Sequence, residues 1–230
     1  MLETNKKYIL NQIKNSDISN QPWKHLIIKD FLPEDLYNGV KQETEQYTQN
    51  EVLEKTNVRA FHIYVNESVN VFPSSPHLKE YYDILLDSDI VNVIKNKLSI
   101  EQNPKDFYSE LNLFTKDYVY DEIHPDRSDK LITMLHYLAD EGDDESLGTM
   151  LYPPDKDGAK MDVFKDCVKS APYVSNTVCL FAPNDSKEYK TNHCMANWSD
   201  KTFLRKSFQT FWIKEKADWT KDKQSGRVKL

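Results

Sequence analysis

No run of eighteen apolar residues occurs in these 230 residues, so no segment reads as a membrane-spanning helix. The opening Met-Leu-Glu-Thr-Asn-Lys-Lys is polar and lacks the apolar stretch of a secretory signal, which makes a soluble, cytoplasmic protein the expectation. Cysteine is scarce. Cys167, Cys179 and Cys194 are an odd number without zinc-type spacing, which argues against a disulfide framework. Cys179 falls in the apolar run Thr177 to Phe181 and reads as a small core residue, and Cys194 on a strand faces away from its neighbour His193. Arginine is scarcer than lysine: Arg59, Arg127, Arg205 and Arg227 are the four among thirty basic residues. The net charge of −7 lacks the basic footprint of general nucleic-acid binding. Internal repeats and low-complexity tracts are missing too.

What is there suffices for a core. Hydrophobic residues make up 39% and aromatics 12% of a 27.0 kDa chain, enough for one domain with supporting helices. Residues 1–21 carry a short amphipathic pattern through Tyr8, Ile9 and Ile13 and read as a docked helix. Residues 22–32 read as a strand leaving Pro22. Pro33, Glu34 and Asp35 then open a helix to about Thr48, a proline and early acids suiting a helix N-terminus. Ala60 to Val65 reads as a strand. Pro76 to Leu98 reads as one helix, from the 3.6-residue spacing of Leu78, Tyr81, Leu85, Val91, Ile94 and Leu98.

From about residue 106 the pattern changes to short strands between acidic turns: 107–115, 131–139, 149–152, 176–182 and 206–214. The expected division is therefore an N-terminal strand and support helices over 1–105, a β core over 106–214 and a charged tail over 215–230. Asp140 to Leu147 is an acidic turn. Residues 153–170, with Gly158 and a possible short helix from Met161 to Val168, read as a loop over the mouth of the core.

The chemistry-bearing signal is His124-Pro125-Asp126, followed 69 residues on by His193 and 12 further by Arg205. On an extended segment His-x-Asp points both side chains to one face, and Pro125 favours that extension. Of the histidines at 25, 62, 77, 124, 136 and 193, only His124 has an acid two residues on. His193 is the natural third ligand. His136 competes less well, because it alternates away from Thr133, Leu135 and Tyr137, which are expected to point inward. Two imidazoles and a carboxylate on one face of a divalent iron leave positions open for a co-substrate and dioxygen.

In this order and spacing the chain resembles the Fe(II)- and 2-oxoglutarate-dependent dioxygenases, in particular their prolyl 4-hydroxylase-like branch. Arg205-Lys206-Ser207 is similar to the family's Arg-x-Ser signature, and Pro22 to Leu32 with its following helix looks like the family's N-terminal strand and support helix. The resemblance covers roughly residues 22–214. It implies a mainly β fold with supporting helices (α+β), a double-stranded β-helix or cupin-like jelly roll. It implies Fe(II) on His124, Asp126 and His193, with 2-oxoglutarate and O2 as co-substrates. It further implies hydroxylation of a C–H bond with release of succinate and CO2, a prolyl or other amino-acid or peptide substrate leading.

On this resemblance Arg205 and Ser207 would meet the far carboxylate of 2-oxoglutarate, Tyr137 and Thr133 would add hydrogen bonds, and Leu135 would cover its methylenes. A guanidinium suits that carboxylate because it binds both oxygens in parallel. There are departures. Phe114 stands where relatives often carry a co-substrate tyrosine, leaving Tyr108, Tyr118 or Tyr120 as possible sources of the hydroxyl, and Lys201 rivals Arg205 as the basic partner. Arg127, Asn112, Tyr64, Trp198 and the 153–170 loop are candidates for a substrate entrance. Two further readings stand beside this one: a jelly-roll binding protein with a vestigial site, and a zinc or manganese hydrolase. Hydrolase chemistry would not need Arg205.

Overall fold

The computed structural model describes residues 2–45, 60–65, 75–115, 120–195, 204–215 and 227–228. Four helices come first: α1 (Leu2–Asn15), α2 (Glu34–Glu45), α3 (Pro76–Leu86) and α4 (Ser88–Leu98). Strand β1 (His25–Ile28) lies between α1 and α2, and β2 (Ala60–Val65) precedes α3. The expected helix over 76–98 is thus two helices. Asp87 breaks it: its backbone is extended (ψ 133°) and its side chain accepts from the Asp89 amide, capping α4 as α3 ends. The apolar spacing continues across the break, which is why periodicity alone reads a single helix. The end of α2 expected near Thr48 lies outside the described residues.

Eight strands then follow in order: β3 (Asp106–Thr115), β4 (Tyr120–His124), β5 (Lys130–Tyr137), β6 (Thr149–Leu151), β7 (Lys169–Ala171), β8 (Thr177–Phe181), β9 (His193–Met195) and β10 (Leu204–Ile213). A short β11 (Arg227–Val228) pairs parallel with β2, so part of the tail joins the sheet. The larger sheet runs β1-β8-β5-β10-β3-β2-β11 and the smaller β4-β9-β6-β7. From β3 to β10 the chain passes repeatedly between the sheets, with β6 and β7 consecutive in the smaller one, and all described pairs but β11 with β2 are antiparallel. This is a double-stranded β-helix with helices packed along one sheet. Strands β4, β7 and β9 are too short and polar to stand out in the sequence. The helix expected over 161–168 is a series of turns after a 3-10 turn at Gly158–Lys160.

The central strands β8, β5 and β10 of the larger sheet are buried on both faces, with all eight residues of β5 buried. A strand covered on both sides reads as a near-continuous apolar run rather than an alternation. Its outer face, with Ile132, Met134, Leu180, Leu113, Phe208 and Trp212, packs against Leu36, Val40, Tyr81, Leu85 and Ile94 of the helices. The inner face carries Leu135, Tyr137, Cys179 and Phe181, which meet Leu147, Leu151, Tyr173 and Trp23.

His136 lies on the outer face, fully buried among the rings of Phe31, Tyr37, Tyr81 and Phe208. Its Nδ1 is 3.1 Å from the Tyr81 hydroxyl and its Nε2 3.4 Å from Asn176 Oδ1. Burial pushes its imidazole down to about 3, with Asn176 pulling weakly the other way. The unfolded chain takes up this proton near 6.5 and the native state only near 3, so stability present at neutral pH is lost as pH falls through that interval. We expect the stability difference between wild type and His136→Gln, from urea unfolding, to shrink by about 3 kcal/mol between pH 7 and pH 4. An unchanged difference would mean that this imidazole does not govern acid sensitivity.

Candidate metal centre

His124 ends β4 and His193 begins β9, and the two are direct cross-strand partners in the smaller sheet. Their rings therefore project from the same face, with centroids 4.8 Å apart. Each ring is oriented by the carbonyl two residues before it. His124 Nδ1 lies 2.9 Å from the Glu122 carbonyl, and His193 Nδ1 lies 2.9 Å from the Thr191 carbonyl. A carbonyl only accepts, so each Nδ1 donates and each Nε2 is the nitrogen turned toward a metal, the orientation a metal-binding imidazole requires.

Asp126 leaves the end of β4 through Pro125 and buries its carboxylate, with Oδ2 3.9 Å from His193 Nε2. One donor atom from each of His124, Asp126 and His193 lies within 4.8 Å of the others, the single such group among the described residues. Burial pushes His193 down to about 4; Asp126 pulls it up, and His124 adds to the lowering. Its ring is accordingly neutral at physiological pH. Burial alone would raise the Asp126 carboxyl, but Lys130, His193 and the Thr133 hydroxyl together hold it below the ordinary carboxylate range. Two imidazole nitrogens and one ionised carboxylate oxygen are a donor set suited to a divalent transition metal.

Neighbouring residues fix this group. Phe181 packs edge-on against His193 with centroids 5.0 Å apart, and Trp23 backs Phe181 at 5.0 Å. The 3-10 turn at Gly158 lies against β4, where a Cβ on Gly158 would stand 2.1 Å from the Ile123 carbonyl oxygen. The close approach needs glycine and seats the 153–170 loop beside the His124 strand. On the other face of β9, buried Cys194 meets the Tyr152 hydroxyl at 3.0 Å, a packing role away from the ligand group.

The remaining site candidates line the inner face of the larger sheet. On β10 the register sets Arg205 beside Phe114 of β3, Ser207 beside Tyr137 of β5, and Phe211 beside Thr133 of β5. Arg205 is buried, donating from Nε to the Leu147 carbonyl at 2.7 Å and from Nη1 to Ser207 Oγ at 3.2 Å. The rings of Phe114, Tyr137 and Tyr173 surround its guanidinium, with centroids 5.8, 5.7 and 5.5 Å away. Tyr137 donates to Thr149 Oγ1 at 2.7 Å, and Leu135 lies buried between Thr133 and Tyr137.

Thr133 differs from expectation: its hydroxyl donates to Asp126 Oδ2 at 2.6 Å, which places it with the ligand group rather than at the Arg205 end. Of the possible tyrosines, Tyr108 stacks on Phe211 and donates to Glu110 Oε2 at 3.2 Å. Asn112 lies on the same face and donates to Gln209 Oε1 at 2.9 Å. Arg127 is exposed, with Nη2 2.9 Å from Asp129 Oδ2. Tyr118, Trp198 and Lys201 lie outside the described residues, as do the side chains of Tyr64 and Tyr120.

Lys130 escaped the sequence reading. Its ammonium donates to Asp126 Oδ1 and sits 3.6 Å from the centroid of the Phe211 ring, with the side chain 10% exposed. The signal available was only a lysine four residues past the acid. Nothing short-range says that a loop will fold it back.

No family model matches this sequence, and no curated protein sequence does. Solved structures do match its fold. A Pseudomonas putida prolyl-4-hydroxylase gives a TM-score of 0.54 at 12% identity, covering 94% of this chain and 100% of that one. A Phytophthora capsici prolyl 4-hydroxylase gives 0.60 at 13%, covering 96% and 69%. A Trichoplax adhaerens prolyl hydroxylase, in complex with a hypoxia inducible factor peptide fragment, gives 0.55 at 13%, covering 93% and 92%. At such identities the likeness is one of fold, the double-stranded β-helix these prolyl hydroxylases share with this chain. No helix among the described residues is long and apolar enough to cross a membrane.

The Asp126–Lys130 pair is buried on both sides, so removing one charge strands the other. Asp126→Asn should cost the metal-free protein about 3 kcal/mol in urea unfolding. Adding Lys130→Met should return most of that loss, whereas additive losses would show that the two charges are not coupled.

Proposed function

We propose that this chain is an Fe(II)- and 2-oxoglutarate-dependent oxygenase that hydroxylates a C–H bond and releases succinate and CO2. The observation that carries the reading is the convergence of His124, Asp126 and His193, donor atoms within 4.8 Å, on a jelly roll of the oxygenase type. The donors fit ferrous iron: two imidazole Nε2 atoms, with His193 held neutral by burial, and one carboxylate oxygen kept ionised by its partners. Bound iron would supply the activation of dioxygen and the oxidative decarboxylation of 2-oxoglutarate.

The chain's residues do the rest. His124 and His193 are each held by the carbonyl two residues earlier in the chain, so both rings are oriented before any metal arrives. Thr133 positions Asp126 through its hydroxyl. Arg205 would meet the far carboxylate of 2-oxoglutarate, its guanidinium steadied by Leu147 and Ser207 and shielded from water by three aromatic rings. Leu135 would cover the methylenes, and the Tyr137 hydroxyl lies at the Arg205 end of the same face. Arg205 also favours this reading over a hydrolase, which has no dicarboxylate to anchor.

For the substrate we propose a prolyl residue in a peptide. This rests on the fold shared with the prolyl hydroxylases, one of them solved with a peptide. The site faces that would meet it, around Tyr108, Asn112 and Arg127, are polar and aromatic.

Anaerobic titration of the purified chain with Fe(II) and 2-oxoglutarate tests the cofactor assignment through the weak visible charge-transfer band of the complex. The band should form with wild type and vanish in His193→Ala. In Arg205→Ala it should need roughly tenfold more 2-oxoglutarate, the loss of about one charge-assisted hydrogen bond. No band in folded, iron-loaded wild type would turn the assignment toward the vestigial or hydrolytic readings. Asp126→Ala should abolish succinate formation, and full iron-dependent turnover in that variant would refute the ligand set.

A further inference from the structure

We infer that Lys130 is a built-in counter-ion that competes with the metal for Asp126, stabilising the metal-free site and lowering its metal affinity. The inference rests on reading His124, Asp126 and His193 as a metal site. It concerns a residue that neither ligates nor reaches the Arg205 end of the sheet.

Both oxygens of Asp126 have protein partners. Thr133 Oγ1 donates to Oδ2 at 2.6 Å, and the Lys130 ammonium donates to Oδ1. Oδ2 is the oxygen nearest the His193 Nε2, at 3.9 Å, so it faces the ligand group while Oδ1 faces the cation. The ammonium also lies over the Phe211 ring, 3.6 Å from its centroid, where the ring's electron-rich face replaces lost water. Side-chain exposures of 10% and 4% leave little solvent to screen the pair.

Two consequences follow from this placement, and they point the same way. The metal-free carboxylate is neutralised in place, so the site needs no metal to avoid a buried lone charge. A dication bound at Oδ2 would lie one carboxylate away from a fixed positive charge and be repelled by it. Neutralising Lys130 therefore destabilises the metal-free protein and strengthens metal binding. A mere packing defect would weaken both.

The test is Mn(II) binding to the full chain, read from the electron paramagnetic resonance signal of free Mn(II), with thermal unfolding alongside. Lys130→Met and Lys130→Gln should bind Mn(II) at least about tenfold more tightly than wild type, since even a heavily screened charge at this range is worth that much. Lys130→Arg, which keeps the charge, should bind as wild type does. Equal or weaker binding by both neutral variants overturns the inference. Should a neutral variant unfold without metal, Mn(II)-driven refolding is read instead: rescue below the concentration that half-saturates wild type supports the inference, and no rescue at concentrations saturating wild type overturns it. Failure of the underlying reading looks different, because wild type and His193→Ala would then bind Mn(II) equally poorly.

Discussion

The antiparallel pairing that sets His124 directly opposite His193 is the constraint on which the site depends. Strand side chains alternate, so a one-residue slip of β9 would turn His193 outward and Cys194 inward and dissolve the ligand group. A three-residue strand holds its register weakly by itself. Its neighbours supply the rest. Asn192, just before it, accepts from the Tyr152 amide at its carbonyl and donates from its side chain to the carbonyls of Pro153 and Lys156. Cys194 lies opposite Met150 and against the Tyr152 hydroxyl. The 153–170 segment is thus part of what aims His193, as well as packing against the His124 strand through Gly158.

The same alternation divides labour within single strands. On β5, Ile132, Met134 and His136 face the helices while Thr133, Leu135 and Tyr137 face the other sheet. One set buries apolar surface that holds the helices on, and the other builds the polar interior. Such an interior is tolerable only if its groups are paired, since an unpaired buried charge costs several kcal/mol. Lys130 and Thr133 answer Asp126, Leu147 and Ser207 answer Arg205, and Thr149 answers Tyr137. The helix layer and the site are therefore bound to one register: moving β5 relative to β10 would disrupt both at once.

How much of this was legible follows from the range of each interaction. His-x-Asp is a two-residue pattern, and the alternation through Arg205, Ser207, Gln209 and Phe211 is a local property, so both faces could be read directly. Strands separated by acidic turns read as a β-sandwich or barrel, and the jelly roll followed only from the family resemblance. Strands β4, β7 and β9 were not, because three to five residues with polar side chains carry no periodicity. The break at Asp87 was hidden by apolar spacing that is right for both α3 and α4. Lys130 and Thr133 were hidden for another reason. Their partner is Asp126, and only the path of the loop between β4 and β5 brings a flexible ammonium and a strand hydroxyl to opposite oxygens of one carboxylate.

Arg205 and Lys206 show how far a single step along a strand decides a cation's role. Lys206 points out to Asp140, where its ammonium pairs at 2.6 Å beside Lys41 near the surface. Arg205 points in, among three rings, where a compact and strongly hydrated ammonium would be harder to desolvate than a planar guanidinium. On the proposed reading the inner face then carries positive charge at both ends, the metal with Lys130 at one and Arg205 at the other, with Leu135 between them. A dicarboxylate with an apolar middle has the complementary pattern: an anionic group at each end and methylenes at the centre. Water or a monoanion would satisfy only one end. On that reading, the arrangement of charges along β5 and β10 suits a two-ended co-substrate.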